Sequence, residues 1–498
     1  MENSLLVGNG IDIQLGGNDF LNKWIIVRLL SDAKAGKYDD LFTSGTDAPP
    51  AIRGDEIVTL FLEMPSLGNR ARNGDFDELI NDLNETEISS ALEDFKNRYT
   101  WEIISPEHIG LEDWILLLRL YLQEQSDLLS QFNSLKQGFE RMVLDAIYCN
   151  GTVQSLHKNV RKKAKEFFVS FDKAFTLNYD NSLEKITNKP VFHLHGGFET
   201  LALSENPQTA SGFLRKRKGD TVYFPPRFQH CNCNAILDYS GDNKYRFAVA
   251  LSSATEVFQK LKALYDNDRD GLDEYISVFS IEQQEIIRVG LEQNLPFGYN
   301  YHFGDLEQLT GELTIIGIAP QNDRHLFECI NRSKLDRVVF YHFFVTDNGN
   351  APILPISKPY EVRNVSELWS SIGLQTSQPI SKIAQDFQLK MMKNRAEVQK
   401  FVSIFNAFES EPNAVNAVDI LQQLKSIPKE TEKAIIKMMV TEMQKEKYHN
   451  SQKSEDELYK QFREFGRTLS IASLSPQTLY FMYIMSTSKT SVKRKRKK

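Results

Sequence analysis

Cysteine is scarce in this 498-residue chain: Cys149, Cys231, Cys233 and Cys329 are far too few for a disulfide framework. None of them forms a Cys-x-x-Cys pair, so the usual spacing of a zinc knuckle is missing too. Long apolar runs are also lacking. No stretch approaches the roughly 18 to 20 uninterrupted apolar residues of a membrane span. The opening Met1-Glu2-Asn3-Ser4 lacks the basic-then-apolar order of a signal peptide. Neither sign of charge dominates, since 59 Lys and Arg against 66 Asp and Glu leave a net charge of -7. Nothing global therefore predicts wrapping of nucleic acid. The expectation from these absences is a cytoplasmic protein with no membrane contact.

What is present is the balance of a folded globular chain, 41% hydrophobic and 25% charged residues. The length calls for two domains, or for one large domain with insertions. Five short apolar runs stand out: Ser4 to Val7, Ala174 to Leu177, Val191 to Leu194, Leu313 to Ile318 and Arg337 to Val345. Each is of strand length and lacks clean alternation, as strands buried on both faces of a parallel sheet do. Helically spaced stretches such as Glu112 to Leu122 and Phe132 to Ile147 lie between them. The predicted class is α/β, a Rossmann-like parallel sheet with helical insertions over residues 1–372. From residue 380 to 498 the chain is nearly free of glycine and reads as an all-α C-terminal domain, with a boundary between Ile372 and Pro379. It closes on a basic tail, Lys493 to Lys498. Six charges without aromatic neighbours read as a solvated terminus in preference to a nucleic-acid contact.

Four strand ends carry polar or glycine groups. Val7 is followed by Gly8-Asn9-Gly10-Ile11-Asp12, where a Gly-x-Gly turn allows close approach to a ligand and equally suits a plain strand-to-helix turn. Thr176-Leu177-Asn178-Tyr179-Asp180 offers an amide and a carboxylate suited to ribose hydroxyls, or an Asx turn before a helix near Ser182. In His193-Leu194-His195-Gly196-Gly197 the alternation puts both histidines on one side of a strand, and His195 at its end suits a general base. The other readings are a structural pair or a metal site, and no further ligands stand at a recognisable spacing. Finally, Gly317 leads to Asp323, either a sugar-binding carboxylate or the cap of a helix from His325 to Ile330.

In this order Gly8-Asn9-Gly10, Asn178-Tyr179-Asp180, His195-Gly196 and Gly317…Asp323 resemble the sirtuin-like superfamily, in particular bacterial sirtuin-like and AbiH-type abortive-infection proteins. The similarity covers roughly residues 1 to 370, in short islands. It implies NAD as substrate and no metal. It further implies Asn178 and His195 as the residues that break the nicotinamide–ribose bond, with Gly8, Asn9, Gly10, Asp12, Thr176, Asp180, Gly196, Gly317 and Asp323 around the dinucleotide. Paired Cys-x-x-Cys motifs of the deacylating branch are missing, so the implied activity is NAD hydrolysis (an NADase) in antiviral defence. The implied partners are further copies of the chain in a homo-oligomer, and a protein or phage-derived trigger. The competing expectation is a non-catalytic sensor of NAD or ADP-ribose.

Overall fold

The computed structural model describes residues 2–374 apart from 44–51, 84–85, 104–105, 125–131, 220–224, 238–239 and 344–350. The expected helical domain from 380 to 498, its basic tail and all but the first three residues of the expected boundary lie outside the described residues.

Six strands form one all-parallel sheet: β1 (Asn3–Val7), β2 (Lys173–Thr176), β3 (Phe192–His193), β4 (Thr310–Ile316), β5 (Lys334–His342) and β6 (Tyr360–Asn364). Their spatial order is β3-β2-β1-β4-β5-β6, the doubly wound order in which ligands bind where the chain turns to opposite sides of the sheet. That switch point lies between β1 and β4, which pair from Asn3↔Glu312 to Val7↔Ile316.

Between β1 and β2 the chain inserts α1 (Gly10–Gly16), α2 (Asn22–Lys34), α3 (Gly54–Asn73), α4 (Asp77–Leu83), α5 (Thr86–Arg98), α6 (Asp113–Glu124), α7 (Phe132–Tyr148) and α8 (Lys162–Val169). The short α9 (Ser182–Thr187) crosses from β2 to β3. A second insertion, between β3 and β4, carries α10 (Ala210–Lys218), α11 (Gly241–Asn267), α12 (Arg269–Ile276), α13 (Ile281–Gln293) and α14 (Phe303–Glu307). α15 (Arg324–Arg332) crosses from β4 to β5, and α16 (Val365–Ser371) follows β6. Among the described residues no helix is long and apolar enough to cross a membrane.

Period-2 alternation sends successive strand residues into two different cores. Leu6, Phe175, Leu313, Ile315, Val338 and Phe340 pack with α14 and with Leu326, Phe327 and Ile330 of α15. Leu5, Val7, Ala174 and Ile316 face the other way, onto Ile11 and Leu15 of α1, Phe168 of α8, Leu183 and Ile186 of α9, and Trp369 of α16. Each Leu, Ile, Val or Phe among them, once fully buried, contributes about 1.5–3 kcal/mol. Burial on both faces is why the strand runs lack clean alternation.

The five apolar runs each become a strand, and β6 is an additional one. Its sequence Tyr-Glu-Val-Arg-Asn lies at the sheet edge, partly exposed, with Glu361 ion-paired to Arg337 and Arg363. An edge strand of this kind has no apolar run to give it away.

At the switch point glycines let the β1 and β4 ends meet closely. The Gly8 amide donates to the Ile316 carbonyl at 2.9 Å and the Gly10 amide to the Gly317 carbonyl at 3.1 Å. A Cβ on Gly317 would lie 2.6 Å from the Gly10 Cα, and its φ is +74°. Gly317→Ala is therefore expected to lower stability by more than about 3 kcal/mol, combining a left-handed alanine with a backbone clash. Gly373→Ala is the control, since it shares the positive φ of +75° but has open space around it. It should cost only about 1–2 kcal/mol. Thermal midpoints of the two variants check this, and equal shifts would discard the close-packing argument.

Candidate active site

Packing accounts for Gly8, Asn9, Gly10 and Gly317 before any ligand is invoked. The three glycines fill one another's space, and the Asn9 Nδ2 donates to the Phe20 carbonyl at 2.9 Å, fixing the turn into α1. α1 is only seven residues long.

Beside this turn, Asp12 of α1 and the loop after β2 build a first buried cluster. The Thr176 hydroxyl oxygen accepts from the Asn178 amide at 3.0 Å, curling the chain as it leaves the strand. Asp180 Oδ1 accepts from the Ser182 amide at 2.7 Å, which is the expected Asx turn at the start of α9. That turn does not exhaust the carboxyl, which also hydrogen-bonds Asp12, and Asp12 in turn meets the Asn178 side chain. Burial, then the charge of Asp180, pushes the Asp12 carboxyl well above the usual carboxylate range, and burial raises Asp180 as well. Two buried carboxyls in such contact oppose each other's ionisation, so the second charge is disfavoured. Asp12 Oδ1 has no hydrogen-bond partner.

The histidines of the third motif separate. β3 ends at His193, so the alternation stops there and His195 sits in the following turn. His193 lies against α9, its Nδ1 donating to the Asn178 carbonyl at 3.1 Å and its Nε2 meeting Glu184. Burial opposes its charged form, but Glu184 outweighs that and raises its pKa. His195 lies on the opposite face, near Phe303 of α14 and His325 of α15. The expectation of one shared face is corrected: a strand two residues long cannot carry the alternation as far as His195. Gly196, with φ of +76°, makes the bend, and a Cβ there would fall 2.2 Å from the Asn234 carbonyl oxygen. The His195 carbonyl accepts from the Ile236 amide at 3.0 Å, which completes the anchoring.

His195 opens a second cluster. Its Nε2 faces the His325 Nε2 at 3.4 Å, and the Asp323 carboxylate completes a group whose ligand-type atoms all lie within 4.8 Å of one another. Asp323 occupies the N-cap of α15 but makes no side-chain cap bond, so of the two readings open for it the helix cap falls away. Buried among them is Lys244 of α11, whose Nζ pairs with Glu112 at 2.9 Å. Burial first, and then the Lys244 charge, holds both imidazoles neutral, with His325 down at about 3. Burial lifts Asp323 to about 7. Alongside, Arg98 of α5 grips Asp113 through two 2.7 Å bonds and reaches the Ser240 hydroxyl at 2.9 Å, tying α5, α6 and the start of α11 together. A cleft of about 600 Å3 opens over this region, lined among others by Arg98, Arg246, Gln321, Asn322 and Arg324.

Thr176, Asn178, Asp180 and Asp12 thus form one cluster, and His195 and Asp323 belong to another that adds His325, Lys244 and Glu112. His325 carries a weak signal, Asp-x-His after a strand end. Glu112 and Lys244 carry none, because they reach the site from two separate insertions, Glu112 from the turn before α6 and Lys244 from α11. Compared with protein-family models, with curated proteins and with solved structures, the chain has no match.

A pH dependence follows. The folded state holds a proton on Asp323 up to about 7, whereas an unperturbed aspartate releases it near 3.8. Its contribution to stability is greatest below about 4 and declines as pH rises through about 7. Asp323→Asn is expected to remove this decline, as measured by thermal midpoints from pH 4 to 8 with a chelator present. An unchanged slope would exclude Asp323 as its source.

Proposed function

We propose that the chain hydrolyses the nicotinamide–ribose bond of NAD. The observation that carries this reading is the buried Asp12–Asn178–Asp180 cluster beside the switch point of a doubly wound sheet, where such folds take nucleotides. A carboxyl pair sharing one proton both accepts from and donates to a ribose diol, and Asn178 adds an amide. The C1′–N bond breaks, neutral nicotinamide leaves, and a water oxygen bonds to C1′. His195, neutral and enclosed, takes the proton that this water releases. The resemblance drawn from the sequence motifs supports the same assignment.

Asn178, Asp180 and His195 are each less than a tenth exposed, so the site is closed in this form. Closure suits an effector of antiviral defence that is opened by a phage-derived trigger or a partner, acting in the cytoplasm as a homo-oligomer. It also favours a second reading, a sensor that holds NAD or ADP-ribose without cutting it.

NAD consumption by the purified chain, alone and in phage-infected cell extract, separates them. The wild type is expected to consume NAD, and Asn178→Ala and His195→Ala to lower the rate at least about 100-fold while circular dichroism shows the fold retained. Binding without consumption would favour the sensor. Neither binding nor consumption would end both readings.

A further inference from the structure

The second cluster has the composition of a metal site whose ligands come from parts of the chain 130 positions apart. The turn after β3 brings His195, the first turn of α15 brings His325, and the residue before α15 brings Asp323. Their ligand-type atoms lie within 4.8 Å of one another. Two nitrogens bound tetrahedrally at about 2.0–2.1 Å from one ion stand about 3.3–3.4 Å apart. The His195 and His325 Nε2 atoms stand 3.4 Å apart. For a direct hydrogen bond that is long, the ordinary distance being about 2.9–3.0 Å.

Other duties account for these side chains only in part. The Asp323 carboxylate leaves the end of α15 uncapped and is held by the Ala319 backbone. His325 Nδ1 is buried with no partner. The charges also suit a cation. Lys244 and Glu112 cancel as an ion pair, and Asp323 leaves one negative charge when ionised. A divalent ion would turn the pocket to one positive charge, which a bound hydroxide neutralises.

We propose that His195, Asp323 and His325 bind one divalent transition-metal ion, zinc or a metal of similar softness, and leave a coordination position for water. Two imidazoles with one carboxylate favour zinc, cobalt or nickel over magnesium or calcium, which prefer oxygen ligands. Three protein ligands are the pattern of a catalytic site, whereas a structural site closes with four. Asn322 and Arg324, the chain neighbours of Asp323, line the nearby cleft, while His195 and His325 are buried behind it. The site stands on its own geometry and goes beyond NAD hydrolysis. With the ion bound, His195 acts on water through the metal and no longer as a free base.

The full chain, stripped with a chelator and dialysed, is titrated with Zn2+ and separately with Co2+ in the absence of NAD. One equivalent is expected to bind tightly, and cobalt should show the intense visible bands of a four- or five-coordinate site. Asp323→Asn, which keeps the volume, and His325→Ala should each weaken binding at least about tenfold and change the cobalt spectrum. The double variant Cys231→Ser, Cys233→Ser should leave both unchanged, because the thiols are not ligands. If His325→Ala does not fold, Asp323→Asn carries the test alone. Absence of stoichiometric binding, or binding that Asp323→Asn leaves untouched, would overturn the site. Metal bound as expected without NAD consumption would remove only the NAD reading.

Discussion

Gly8, Gly10 and Gly317 let the carboxyl ends of β1 and β4 approach until backbone touches backbone, and everything at the switch point is placed by that contact. A Cβ on Gly8 would fall 2.6 Å from the Gly317 carbonyl oxygen, and one on Gly10 would fall 2.4 Å from the Gly317 Cα. Any side chain at these positions would part the two loops. α1 would then move with Asp12, and the chain after β4 would move with Asp323 and His325. The two polar clusters would lose their spacing together. A close-packed interior transmits such a displacement instead of absorbing it.

The clusters on either side of this contact solve the same electrostatic problem differently. Asp12 and Asp180 are buried carboxyls whose pKa values burial and mutual contact raise, which disfavours two adjacent negative charges. His195 and His325 avoid burying positive charge by staying neutral beside Lys244, which is itself compensated by Glu112. Neither arrangement contributes much net stability, because desolvation consumes most of the attraction. Groups kept at that cost, with pKa values pushed away from the ordinary, are candidates for a functional site.

The insertions explain why the second cluster could not be assembled from motifs. Glu112 lies next to α6, and Lys244 is on α11, so each arrives from a different excursion out of the sheet. The Arg98–Asp113–Ser240 network fixes these excursions against each other. Polar residues on helices look like solvated faces in the sequence, because a solvent-exposed lysine and a buried, paired one have the same letter. His195 and Asp323 were legible because strand ends in a doubly wound sheet converge, and their neighbours Gly196 and Gly317 mark sharp bends. The edge strand β6 was not legible, since its charged residues pair along the sheet edge and show no apolar run.

By itself the sequence determined the α/β class, the five apolar strand runs, and the polar residues standing at the strand ends. Hydrophobic runs of strand length separated by helical periodicity are local properties, and local properties survive in a one-dimensional string. Only the tertiary structure decided which of those polar residues share a cluster. It put Asn178 with Asp12 and sent His195 to the opposite face of the sheet from His193. It also freed Asp323 from capping α15 and supplied His325, Lys244 and Glu112. Those outcomes depend on sheet order, on where a two-residue strand stops alternating, and on how two large insertions fold back. Each is a matter of contacts between residues far apart in the chain, which spacing along the sequence does not encode.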